Sequence, residues 1–150
     1  MSFMYQEHQR VEFEDLLDHP TPEPTGRHCP INFYQFVNYL QRSVQDAGYD
    51  VADTRLAIAG RKDRNDFRTG TQLTGVITIS GYGVSDSEMK SFIGFRADHG
   101  KKVSAVLAGG TSVTVCSNTD ISSNGIVEFR KQTTNVWSKI RAIVPRLLDS

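Results

Sequence analysis

From Thr54 to Lys131 the apolar residues fall at alternate positions, in short runs broken by glycine and small polar residues. This alternation constrains the fold more than any other feature, because side chains switch faces at each step of a strand but line one face of a helix only every three or four residues. Thr54–Ala59 places Leu56 and Ile58 together. Leu73–Ser80 sets Leu73, Gly75, Ile77 and Ile79 against Thr74, Val76 and Thr78, and the two runs are expected to pair as a hairpin around the polar stretch 60–69. Ser91–Arg96, Val103–Leu107, Ser112–Ser117 and Ile126–Lys131 supply four more short strands. Turn residues punctuate them at Gly81-Tyr82-Gly83, Ser85-Asp86-Ser87, Gly100, Gly109-Gly110 and Ser122-Ser123-Asn124-Gly125, and Asn124-Gly125 suits a tight hairpin.

Helical spacing flanks this block. Phe33, Phe36, Val37, Leu40 and Val44 form a stripe within Ile31–Ala47, with Pro30 and Asn32 as a start signal and Gly48 as the terminating glycine. Trp137, Ile140, Val144 and Leu147 line one face of Asn135–Leu148, which Asn135 or Thr134 can cap and Pro145 kinks or divides. Strands grouped between two helices, without strand–helix–strand alternation, predict an α+β fold: a mainly antiparallel sheet of about five to six strands with one helix before it and one after. The first stripe is expected in the core. Residues 1–30 read as an extended, acidic, proline-rich arm in front of a single domain spanning 31–150. Pro20, Pro22 and Pro24 alternate along it as a polyproline-like strap, and Val11–Leu17 reads as an acidic solvated surface, with a turn of helix as the alternative.

At 150 residues the chain can bury one core of ordinary size, and its apolar, aromatic and charged fractions exclude disordered and fibrous classes. No apolar run is long enough to cross a bilayer as a helix, and Met1–Arg10 has no apolar core of a signal peptide, so a cytoplasmic location without membrane contact is expected. Cys29 and Cys116 are the two cysteines, far apart and outside any CxxC pair, which favours free thiols. Net charge is zero but uneven: acids dominate up to Val51 and bases beyond it. Such a chain is no general nucleic-acid sponge, yet it can hold one phosphate-bearing ligand against a basic patch.

Three motifs fall in order along the second half: GFRADHGKK from Gly94, VTVCSN from Val113 and FRKQT from Phe129. With the upstream PTPEPTGRHCPI and AGYDV they resemble the phage/plasmid-like protein family of unknown function. Arg96, His99, Lys101, Val115, Cys116, Asn118 and Thr133 match the family pattern, whereas Ala97, Asp98, Gly100 and Gln132 depart from its polar positions. The resemblance implies a bacteriophage or plasmid context in a bacterial host cell and carries no established reaction.

Arg96–Lys102 is the densest polar stretch, at a strand exit where loops commonly carry function. Arg96 can fork onto a phosphate, Lys101 and Lys102 add point charge, and His99 and Asn118 are further candidate ligand contacts. Arg61, Lys62, Arg64 and Arg68 around Phe67 form a second candidate, a basic hairpin with one stacking ring, in which Asp63 and Asp66 offset part of the charge. His99 has no evident nucleophile beside it, Cys116 fits a buried strand position, and His8, His19 and His28 read as coincidental histidines, so no catalytic residue and no metal site is assigned. No phosphate-binding glycine loop occurs and no cofactor is expected. The expected function is therefore a non-enzymatic binder of nucleic acid or a phosphate-bearing nucleotide, acting for a phage or related element, for example in counter-defence. The alternatives are a protein–protein module (homo-oligomer or inhibitor of a host complex) and an enzyme acting on nucleic acid through His99 with Asp98 or Asp120.

Overall fold

The computed structural model describes residues 9–23, 30–63, 65–80, 91–99, 105–110, 113–115, 121–123, 126–130, 138, 140–142, 144 and 145. Six strands form one antiparallel sheet in the order β1 (Gln9–Val11), β2 (Asp50–Ala59), β3 (Gln72–Ser80), β4 (Ser91–Asp98), β5 (Ala105–Gly110) and β8 (Ile126–Arg130). Between β5 and β8 the chain makes a separate antiparallel pair, β6 (Val113–Val115) with β7 (Ile121–Ser123). The fold is α+β, with α1 (Phe33–Asp46) packed on the sheet and residues 138, 140–142, 144 and 145 also helical.

The start and stop of α1 follow from local chemistry. Asn32 caps the helix by accepting from the Gln35 N–H at 2.9 Å. At the other end Gly48 takes φ +91°, so that its N–H reaches Gln45 O at 3.0 Å and the Tyr49 N–H reaches Val44 O at 3.2 Å. These two bonds satisfy carbonyls that a helix end leaves open, in a backbone conformation that glycine adopts without steric cost.

One sheet face carries Leu56, Ile58, Leu73, Ile77, Ile93, Phe95 and Leu107, and joins the α1 stripe, Ile140 and Val144 in a single apolar core. The ring of Phe95 lies over Gly75 and meets Phe36 edge-on with centroids 5.6 Å apart. A glycine stands there because a side chain would occupy the space of that ring. On the opposite face Ala57, Thr74, Arg96 and Val106 are aligned across four strands, and Val76, Gly94 and Ala108 across three, all buried. β6 and β7 lie against β3, β4 and β5, and apart from Arg96 the residues on this face are small enough to suit that approach. Central strands are therefore buried on both faces.

Three expectations need correction. The described part of the supposed arm is built into the domain: β1 pairs with β2, and a 3-10 helix, Phe13–Asp18, sets Leu16 in the core at 1 % exposure. Burial of Leu16 and Val11 holds an acidic segment that composition alone assigns to solvent. Ile121–Ser123 is a strand where only turn residues were read. The described strands on either side of Asn124-Gly125 pair elsewhere, β7 with β6 and β8 with β5. The hairpin residues Asn124 and Gly125, and both Cys29 and Cys116, lie outside the described residues.

Candidate functional site

The β2–β3 connection is shaped by short-range hydrogen bonds from its own aspartates and threonine. Asp63 Oδ1 accepts from the Asn65 N–H at 2.9 Å, Asp66 Oδ1 accepts from the Arg68 N–H at 3.0 Å, and Thr69 Oγ1 donates to Asp66 O at 2.8 Å. Such side-chain-to-backbone bonds are why Asp and Asn favour turns. Gly60 (φ +72°) opens the loop, and the Thr71 N–H closes it on Ala59 O at 3.0 Å. The basic side chains are arranged unequally. Arg68 forks onto the Asp66 carboxylate at 2.9 and 3.0 Å, holding that carboxyl below its ordinary pKa, while Arg61 NH1 donates to Gln9 Oε1 of β1 at 2.7 Å. Lys62 is exposed and Arg64 lies outside the described residues.

Strand register brings the second candidate stretch to the same place. Gln72 pairs with Asp98, and beyond that rung the His99 N–H donates to Thr71 O at 2.8 Å. The end of β4 thus lies beside the Arg61–Arg68 loop. Lys101, Lys102 and Asn118 are outside the described residues, although the covalent chain keeps both lysines within a few residues of His99.

Arg96 and His99 do not converge. Arg96 is 4 % exposed and belongs to the sheet face of Thr74, Val106 and the equally buried Asp98. His99 turns to the helix face, where its ring stacks on Phe33 with centroids 4.1 Å apart and an interplanar angle of 13°. Its Nε2 lies 2.8 Å from Ile31 O. A carbonyl only accepts, so this bond requires a proton on Nε2. That bond and the stacking give His99 an architectural task and separate it from Asp98 across the sheet. Asp120, its other proposed acid–base partner, is outside the described residues.

The residue that sequence spacing missed is His19. Read as a coincidental histidine of the arm, it is instead 4 % exposed, with Nε2 at 2.7 Å from Gly70 O. Its ring centroid is 4.6 Å from Phe33 and 5.4 Å from His99. Burial lowers its pKa, opposed by hydrogen bonding to the Gly70 and Pro20 backbone. The following proline, which favours an extended approach, was the sole local hint of a fixed position. Among the described residues no group of three or more His, Cys, Asp or Glu side chains could hold a metal ion. Comparison with protein-family models, characterised proteins and solved structures finds no match to this chain.

Proposed function

We propose that this chain is a non-enzymatic binding protein whose ligand is nucleic acid or a phosphate-bearing nucleotide, met at the sheet end formed by the β2–β3 loop and the exit of β4. The supporting observation is the Gln72–Asp98 rung with the His99 N–H on Thr71 O, which makes neighbours of two basic stretches some thirty residues apart in sequence. Lys62, with Arg64, Lys101 and Lys102, supplies charge for phosphate, and Phe67 of the same loop as Lys62 offers a half-buried ring. Arg96, buried in the sheet, supports the framework rather than the contact. The tie of His99 to Ile31 O favours binding over acid–base turnover. In a phage or plasmid setting, sequestering a host nucleotide signal or covering a nucleic acid would serve counter-defence.

Fluorescence anisotropy against single-stranded and duplex DNA, with calorimetry against mono- and cyclic nucleotides, tests this reading. A Lys62→Glu/Lys101→Glu/Lys102→Glu variant is expected to weaken binding about equally for all sequences and to flatten its salt dependence. Flat traces for every ligand would sink the proposal.

One feature favours the alternative, a protein–protein module. Among the described residues no strand pairs with β2 along Asp50–Arg55 on its β1 side. That edge is blunted by a bulge between Val51 and Asp53 and by the Asp53–Arg55 ion pair, which discourages open-ended strand addition. Light scattering on the pure protein decides: a strict monomer at all concentrations argues against a homo-oligomer.

A further inference from the structure

His19 and His99 come from segments far apart in sequence and meet over one ring. Phe33, in the first turn of α1, packs against both imidazoles, at 4.6 Å from His19 and 4.1 Å from His99. Each Nε2 is bound to a backbone carbonyl of a different segment: His19 to Gly70 O, at the end of the β2–β3 loop, and His99 to Ile31 O, just before the α1 cap. The pair therefore ties two things to the basic sheet end, the start of the proline strap and the entry to the helix. Elsewhere the strap has a weaker tie, an exposed bond from Asn32 Nδ2 to Thr21 Oγ1 at 3.0 Å.

The chemistry of this arrangement depends on protonation. With Nε2–H committed to a carbonyl, a second proton on His19 must go to Nδ1, which is buried and has only the Pro20 backbone to offset its burial. The resulting cation would sit 5.4 Å from the other imidazole, away from water. Among the described residues, charged groups give His19 little compensation. Asp18 ends the preceding 3-10 helix, Asp66 and Arg68 of the loop are paired with each other, the first turn of α1 holds no acid, and Asp98 belongs to the other sheet face. His19 forms no ion pair with a described carboxylate.

We propose that His19 and His99 form a pH-operated clasp, which holds the strap and the helix entry against the basic sheet end while His19 is neutral and releases them when His19 takes up a proton. The clasp stands on these contacts and does not depend on what the sheet end binds. Release would free the His19–Gly70 and His99–Ile31 ties together, since both rings share Phe33, while β1 and Leu16 keep the N-terminal segment attached.

Amide hydrogen exchange by NMR on the full chain tests this directly. The reporters are the N–H groups of His19 (to Leu16 O), Gly70 (to Phe67 O) and His99 (to Thr71 O), with Ile77 at the sheet centre as the control for global opening. After correction for intrinsic rates, the three reporters are expected to lose at least tenfold more protection than Ile77 between pH 7.5 and pH 5. His19→Gln, whose amide can still donate to Gly70 O but does not titrate, is expected to abolish that difference. Equal protection at both pH values overturns the clasp, as does an acceleration matched in full by Ile77 or one that persists in His19→Gln. Should that variant fail to fold, the wild-type imidazole resonances serve instead. The His19 ring must titrate below the ordinary histidine range, with its midpoint matching the loss of Gly70 protection, and a mismatch overturns the proposal.

Discussion

At the scale of single residues, three glycines separate steric cost from backbone cost. A Cβ at Gly70 would strike Ile58 Cγ2 and come within 3.0 Å of Ala59 O, so Gly70→Ala is expected to lose about 1–3 kcal/mol by overpacking. Gly75→Ala meets the Phe95 ring and Leu56 and should cost a similar amount. Gly48→Ala meets nothing within 4 Å, but φ +91° remains, so about 1–2 kcal/mol is expected from backbone strain alone. Urea denaturation of the three variants measures the difference. Of these residues only Gly48 was legible beforehand, because a helix stop is a local signal. The contact that fixes Gly75 belongs to a ring twenty residues further on.

At the scale of elements, α1 was legible almost to the residue, since its stripe lies within the helix and both of its end signals flank it closely. Leu40→Ala, in the middle of that stripe and fully buried, is expected to cost about 2–5 kcal/mol. The segment before it was not legible. Val11 and Leu16 are isolated apolar residues among acids and show no period, because a three-residue strand and a single 3-10 helix are too short to display one. Leu16→Ala separates the two descriptions: a free arm would shift stability by less than about 0.5 kcal/mol, whereas a core position loses about 2–5 kcal/mol. A thermal or urea unfolding curve reads this directly. The doubly buried central strands also escape alternation, since Val76, Val106 and Ala108 are apolar on the face away from α1.

At the scale of the whole molecule, burial of His19 makes stability depend on pH. Its pKa is lowered in the fold relative to about 6.5 in the unfolded chain, so between the two values the unfolded state holds a proton that the folded state does not. Stability from this group is therefore complete above about pH 6.5 and declines as pH falls toward the lowered value. Urea midpoints are expected to be flat from pH 8 to 7 and to drop toward pH 5, and the drop should shrink in His19→Gln. A profile that is level through this range would remove His19 from the list of buried neutral groups.

Sequence alone determined the α+β class, the span and caps of α1, and the positions of most strands, because period and capping are properties of neighbouring residues. It also marked two basic stretches, 61–68 and 96–102, as separate candidates. Only the tertiary structure decided that the end of β4 lies beside the β2–β3 loop, that Arg96 faces away from His99, and that His19 joins His99 over Phe33. Those relations rest on strand register and on contacts across dozens of residues. Alternation gives each side chain a face, but pairing between distant strands decides which side chains become neighbours.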